Sequence, residues 1–329
     1  MVEVAVVGAG GYTGFELLKL LALHPVFKIG RMFGTKSGRI EGIYPGLRGV
    51  VEGEIFPAEV EEIGKFELVF LAVPHKTAME FVPGLLERGC KVVDFSADYR
   101  LKRENYEKFY CPHRDPANLE KAVYGLPEFY RSQISTAQLV ANPGCYPTAA
   151  LLGLKPFLPY IEGGVFIDAK SGVSGAGKKL SETTHFCSVN ENFHPYNPIK
   201  HRHSVEIEEK SGVKVTFVPH LLPITRGMEV SIFARLNSEV GERWNPSEVA
   251  RQFYRRERFV RVMEQPVGVK QVAGTHFCDL FASRNGDHLY VNVVIDNLLR
   301  GASSQALANA NLMMGLPEEM GLPLYPSLP

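Results

Sequence analysis

The chain is 329 residues long, 45% apolar, and carries 36 basic residues against 36 acidic ones. That length suggests two domains with a sizeable core, and the balanced charge leaves no electrostatic footprint for nucleic acid or an anionic membrane. Five cysteines at irregular spacings argue against a disulfide framework and for a reducing, cytoplasmic setting.

No apolar run reaches the length of a membrane helix, and Met1-Val2-Glu3-Val4 enters a strand pattern with no cationic stretch before it, so neither a membrane span nor a signal peptide is expected. Val2–Val7 reads as a strand buried on both faces, and Thr13–Leu23 as a helix stopped by His24-Pro25. Strands follow at Phe27–Phe33, at Leu68–Val73 (closed by Pro74) and at Lys91–Phe95, with a helix ending at Arg88 before the last of them. A short strand, Leu139–Ala141, leads into a cysteine turn. Alternating strands and helices predict a Rossmann-type, doubly wound parallel sheet. The later strands, Val165–Ala169, Val213–Val218, Glu229–Leu236 and Leu289–Ile295, have longer connections and predict an α+β domain on a mixed sheet. Val173–Arg202 reads as a functional loop region, and Ala302–Met314 as a terminal helix returning to the first domain. The expected division is 1–144, completed by 299–329, and 145–298.

Between the first strand and helix, "VVGAGGYTG" supplies Gly8, Gly10, Gly11 and Gly14. Glycines let backbone turn tightly and approach a pyrophosphate lying on the positive end of the helix. The alternative is a tight turn with no ligand. An NAD site carries an acid about 20 residues on, but here "FGTKSGR" has none before Glu41. Thr35, Lys36, Ser37 and Arg39 offer hydroxyls and cations that suit a 2′-phosphate, so NADP is favoured over NAD; a solvated basic loop is the plainer reading.

Cys145 opens the predicted helix Tyr146–Lys155, with Pro147 in the first turn where its missing N–H costs nothing. Unsatisfied amides and the helix dipole there favour a thiolate, although a buried structural cysteine is the common fate of this residue type, as expected for Cys90. "IKHRHSVEIEE" supplies His201 and His203, with Glu206 three residues after the second. On a helix His203 and Glu206 share a face, so the carboxylate can orient the imidazole for proton transfer; taken alone, each histidine reads more readily as a surface or satisfied polar residue. No metal is expected, because none of the His/Cys pairs has a zinc-motif spacing. "VVDFSADYRL" places Ser96, Asp98 and Arg100 beyond the end of the fourth strand, where ligands of open sheets bind, and a guanidinium there suits a phosphate or carboxylate. "KSGVSGAGK" is a second glycine-rich turn, fit to line a cofactor or to be a plain loop.

Together "GAGGYTG", "LAVPH", "DFSADYRL", "VYGLPE", "NPGCYPT", "DAKSGVSGAGKK", "KHRH", "PHLLPITRGM" and "DNLLRGASSQALANANLMMGL" span nearly the whole chain and resemble the N-acetyl-gamma-glutamyl-phosphate reductase family of arginine biosynthesis. More distantly the chain is similar to aspartate-semialdehyde dehydrogenase. The resemblance implies a reductive dephosphorylation, in which N-acetyl-glutamyl 5-phosphate and NADPH give the semialdehyde, phosphate and NADP⁺. It implies Cys145 as nucleophile, forming a thioester that hydride reduces, and His203 as general acid/base with His201 and Glu206 beside it. It places Arg100 and Ser96 on the substrate, with Asn142 supporting the cysteine turn. Cofactor contacts are expected from Gly8, Gly10, Gly11, Tyr12, Thr13, Gly14, Thr35, Lys36, Ser37, Arg39, Pro74, Ser174, Gly175, Ala176 and Asn297. A homodimer or homotetramer acting on a small acyl phosphate is implied. The related lysine-pathway reductase, which uses a carrier-bound aminoadipyl phosphate, shares most motifs, but "GCYPT" favours the arginine branch. Ser37-Gly38-Arg39 departs from the family's Ala-Gly-Lys. A dinucleotide sensor without catalysis is the reading from another class, and it would need neither the cysteine turn nor the histidine pair.

Overall fold

The computed structural model describes residues 1–327 apart from Lys36. Contacts divide the chain into two compact units, Met1–Gly144 with Ala302–Pro323, and Cys145–Gly301 with the last residues from Leu324. The sequence had assigned all of 299–329 to the first unit. However, Gly301 donates its N–H to the Asp296 carbonyl (2.9 Å) and Ser327 to the Ala273 carbonyl (2.8 Å), so both ends of that segment go with the second.

The first unit holds an eight-stranded sheet in the order Gly38–Arg39, Glu54–Pro57, Phe27–Gly34, Val2–Val7, Leu68–Leu71, Lys91–Asp94, Leu139–Ala141, Val123–Tyr124. Every neighbouring pair is parallel except Gly38–Arg39 against Glu54–Pro57. Val4–Val7 and Leu68–Leu71 are buried, which explains their uninterrupted apolar runs: helices cover both faces of a parallel sheet. Gly38–Arg39, Glu54–Pro57 and Val123–Tyr124 escaped the sequence reading because two to four residues carry almost no periodicity.

The terminal helix, Ser304–Met313, follows one π turn (Leu299–Ser303) and packs on Pro127–Thr136, Lys91–Asp94 and Tyr12–Ala22. Its buried polar residues are held by directed bonds. The Asn311 amide donates to the Glu318 and Met320 carbonyls (3.0 and 2.8 Å) and meets His24 Nε2 at 3.1 Å. His24 Nδ1 accepts the Phe27 N–H (2.8 Å), which leaves Nε2 as the donor.

The second unit holds a seven-stranded mixed sheet in the order His194–Pro195, Val215–Leu222, Ile161–Gly172, Met228–Leu236, His288–Ile295, Cys278–Asn285, Val260–Val262. Ile161–Gly172 runs parallel to Val215–Leu222 and antiparallel to Met228–Leu236. The strand Cys278–Asn285 and the short elements within 173–202 are additions to the sequence reading. One face of the sheet carries the helix Cys145–Leu154, in which Tyr146–Leu154 are all buried. Leu151, Leu152 and Leu154 contribute roughly 1.5–3 kcal/mol each by burial. Gly153 lets the helix approach the sheet, since a Cβ there would stand 2.6 Å from Ile232 Cδ1 and 2.7 Å from Val293 Cγ2.

Candidate functional site

At the glycine turn each glycine has its own reason to lack a side chain. Gly8 has φ +87°, and a Cβ on it would stand 2.1 Å from the Ala72 carbonyl oxygen. A Cβ on Gly14 would meet the Gly8 carbonyl at 2.4 Å and Ala9 Cα at 2.8 Å, so this glycine sets the close approach of helix Tyr12–Ala22 to the strand. Gly10 and Gly11 differ, because the nearest atoms to a Cβ there lie at 3.7 and 3.5 Å. A Cβ at either would make only ordinary contact, and they adjoin a helix start that no side chain caps and that carries no acid in its first turn. That is the cradle a pyrophosphate needs, and the residues present fit it. Tyr44 fixes the turn by donating to the Gly10 carbonyl (2.9 Å).

Past the second strand, Thr35, Ser37 and Arg39 are exposed, while Lys36 lies outside the described residues. Arg39 Nε donates to Glu41 Oε1, and Glu41 Oε2 also accepts the Gly53 N–H (3.2 Å). The first acid after the strand is therefore engaged with the basic loop itself. Pro74 is exposed three residues past Leu71.

Beyond the strand Lys91–Asp94, the residues expected at the substrate are buried and hydrogen-bonded within the fold. Ser96 is buried; its hydroxyl donates to Asp94 Oδ2 (2.8 Å) and accepts the Asp98 N–H (3.1 Å). Arg100 is buried as well, with Nε donating to the Asn142 carbonyl (2.7 Å) and Nη2 to the Phe95 carbonyl (2.6 Å). These two bonds tie the ends of two neighbouring strands together. Asn142 is likewise internal, donating to the Ala302 carbonyl (3.0 Å) and accepting from the Asn309 amide (3.1 Å). Asp98 receives the Lys76 and Ala78 N–H groups (2.7 and 3.0 Å), so it fixes the start of helix Ala78–Glu87. Burial, with Asp98 close by, pushes the Asp94 carboxyl up to about 7.

In the second unit Cys145 is partly exposed and is the first residue of its helix. Gly301 lies against it, for a Cβ on Gly301 would stand 2.7 Å from Cys145 Cβ. Tyr146 is buried beside it, its ring edge-on to His201 and His203 (both 5.9 Å between centroids) and to Phe217 (5.2 Å). Tyr196 donates to the Tyr146 hydroxyl (3.1 Å), which donates to the His220 carbonyl (3.3 Å). Burial raises both phenols. His201 Nδ1 accepts the N–H of His203 (3.1 Å), and burial lowers His201 to about 4. His203 opens helix His203–Ser211, with buried Glu206 one turn on.

Asn297 is buried, with Oδ1 accepting the Gly227 N–H (2.8 Å) and Nδ2 donating to Ser174 Oγ (3.0 Å). Its amide thus braces two loops, one of them carrying Ser174, which is also expected at the cofactor. Gly175 and Ala176 are exposed. Sequence reasoning missed Tyr196, Gly301, Arg226 and Asp296. Arg226 lies within "PHLLPITRGM", and Asp296 and Gly301 within "DNLLRGASSQALANANLMMGL", so those three had a signal, whereas Tyr196 had none. Among the described residues no group of three His, Cys, Asp or Glu side chains is placed to hold a metal.

Two family models match. Residues 3–137 fit the semialdehyde dehydrogenase NAD binding domain, and residues 145–297 the semialdehyde dehydrogenase dimerisation domain. The N-acetyl-gamma-glutamyl-phosphate reductase of Sulfurovum sp. (strain NBC37-1) is 54% identical, with 100% of both chains covered. That of Methanocaldococcus jannaschii is 42% identical over 98% of each. Among solved structures, aspartate semialdehyde dehydrogenase II from Vibrio cholerae has a TM-score of 0.71 at 17% identity, covering 96% of this chain and 99% of that one. Aspartate semialdehyde dehydrogenase with NADP from Candida albicans has a TM-score of 0.70 at 14% identity, covering 95% and 98%. At those identities the likeness is one of fold, a parallel nucleotide-binding sheet followed by a mixed sheet. The sequence relatives carry it further: the chain belongs to the N-acetyl-gamma-glutamyl-phosphate reductase family.

Proposed function

We propose that this protein is an NADP-dependent reductase of arginine biosynthesis, converting N-acetyl-glutamyl 5-phosphate to N-acetyl-glutamate 5-semialdehyde and phosphate. The observation that carries the reading is Cys145 at the first position of its helix, seated on Gly301, with the histidine pair arranged around its neighbour Tyr146. An acyl phosphate is activated toward attack but is reduced usefully only once its carbonyl is held covalently. Cys145, as thiolate, attacks the acyl carbon. The charge that develops on the carbonyl oxygen falls near the first-turn amides of Cys145–Leu154, and phosphate leaves with the bonding electrons. His203 takes the thiol proton and returns it to the departing phosphate. NADPH supplies the hydride that brings the thioester to the aldehyde level. Cys145 then leaves as thiolate when the adduct collapses.

His203, not His201, is assigned the proton. His201 is held neutral by burial, and its Nδ1 is occupied by the His203 N–H. Glu206, one turn along the same helix, orients His203. Gly8, Gly10, Gly11, Tyr12, Thr13 and Gly14 would hold the cofactor pyrophosphate, Thr35, Ser37 and Arg39 its 2′-phosphate, and Pro74 and Ser174–Ala176 its nicotinamide end. Ser96, Arg100, Asn142 and Asn297 are assigned to holding turns in place. Two further features belong to this reading. The outward face of the mixed sheet exposes Phe166 (60%) and Phe233 (47%), apolar surface that a second copy would cover. Cysteines without disulfides fit a cytoplasmic enzyme.

The test is Cys145→Ala. Phosphate-dependent oxidation of N-acetyl-glutamate semialdehyde is expected to fall by about 10⁴-fold or more, with NADPH binding intact. Near-normal turnover would overturn the thioester, and preferential use of carrier-bound aminoadipyl phosphate would overturn the substrate.

A further inference from the structure

The thiol centre as described has a nucleophile and a proton carrier but no cation for a substrate bearing a carboxylate and a phosphate. Arg100 is buried and its Nε and Nη2 are on backbone carbonyls. In the second unit, the turn Asp296–Gly301 rests on Cys145. A Cβ on Gly301 would stand 2.7 Å from Cys145 Cβ and 3.4 Å from the Asp296 carbonyl oxygen. The carboxylate of Asp296 is fully buried. It takes three backbone donors, Leu298 and Leu299 at 2.9 Å and Gly274 at 2.7 Å, and then Arg226 Nη1 at 3.2 Å. With three amides already on it, Asp296 does not require a guanidinium to be satisfied.

The loop carrying Arg226 is fixed on both sides. The N–H groups of Val173 and Ser174 donate to the Ile224 and Thr225 carbonyls (2.9 and 3.2 Å). A Cβ on Gly172 would stand 2.8 Å from the Arg226 nitrogen, and one on Gly227 would stand 2.7 Å from Val269 Cβ. Asn297 then holds Gly227 from the turn that leads to the Cys145 contact. Arg300, within the turn Asp296–Gly301 itself, is wholly buried against His276 (2.5 Å). The Arg226 side chain keeps 19% of its surface open.

The geometry points to Arg226, aimed by Asp296, as the residue of the thiol centre that binds an oxyanion of the substrate. A planar guanidinium matches both a carboxylate and a phosphate. The inference rests on Cys145 being the nucleophile, and the experiment separates the two. Cys145 alkylation is followed by peptide mapping with anionic iodoacetate and with neutral iodoacetamide, in the unaltered chain, Arg226→Met and Arg226→Lys. Failure of Cys145 to react faster than the exposed Cys187 in the unaltered chain sinks the nucleophile reading first. If Cys145 reacts, the iodoacetate-to-iodoacetamide ratio is expected to fall about tenfold in Arg226→Met and to recover partly in Arg226→Lys. Asp296 keeps its three amides in both variants, so the iodoacetamide rate is expected to hold. An unchanged ratio, or both rates falling in parallel, overturns the inference. Protection of Cys145 by inorganic phosphate that is lost in Arg226→Met assigns the phosphate, and the same pattern with N-acetyl-glutamate assigns the carboxylate. Protection by neither overturns the role.

Discussion

The glycine turn and the thiol centre solve the same problem, presenting polar groups to a small molecule, with opposite materials. The glycine turn is made of backbone. Gly8 and Gly14 pack where no Cβ fits, Gly10 and Gly11 would meet one at ordinary contact distance, and the binding groups are amides that every sequence has. The thiol centre draws on side chains from distant segments, Cys145 on one helix, His203 on another and Tyr196 beside the strand pair, with the backbone of Gly301 packed on Cys145. A backbone site is contiguous and is damaged by added atoms. A side-chain site is dispersed and is damaged by lost ones.

The largest expected effect tests the backbone half of that contrast. Gly8→Ala puts a methyl against the Ala72 carbonyl at positive φ and is expected to cost about 3 kcal/mol or more of stability. Gly10→Ala, with nothing nearer than 3.7 Å, should cost under about 1 kcal/mol while weakening NADPH binding. Urea unfolding and cofactor titration of both variants check this, and equal stability losses would erase the distinction between packing and cradle glycines.

The next effect is a pH dependence in the thiol centre. Burial lowers His201 from 6.5 to about 4. Between those values the unfolded chain binds a proton that the folded chain refuses, so stability drops as pH falls through the window, by on the order of 1–3 kcal/mol. Replacing His201 by Asn, which retains an acceptor for the His203 N–H, should remove that slope. The measurement is the difference in unfolding free energy between pH 7 and 4.5 for the two chains, and identical differences would mean His201 titrates normally.

The smallest effect concerns the loop past the second strand. Arg39→Ala should lower the preference for NADPH over NADH by roughly tenfold, about 1.4 kcal/mol, as read from the ratio of kcat/KM values. An unchanged ratio would move the 2′-phosphate contact elsewhere on the loop.

How much was legible follows the same line. The glycine turn, the cysteine turn and the two sheet classes could be read directly, since tight turns, helix starts and strand burial write local patterns into sequence. Ser96, Arg100 and Asn297 were legible as polar residues at strand ends, but whether such a side chain faces a ligand or braces a neighbour is set by what lies opposite. Opposite Arg100 lie the carbonyls of Phe95 and Asn142, and opposite Asn297 lie Gly227 and Ser174. Tyr146 was adjacent to the nucleophile, yet nothing in "CYPT" says that its ring would meet both histidines.

By itself the sequence determined the nucleotide turn, the position of Cys145 at a helix start and the alternation that builds a parallel sheet, because each depends on neighbours within about ten residues. Tertiary structure alone decided which histidine stays neutral, which arginine is spent on backbone and which keeps an open face beside Asp296. Those outcomes depend on burial and on contacts such as Arg100 with Asn142 and Arg226 with Asp296, which join distant parts of the chain, and no local pattern encodes them.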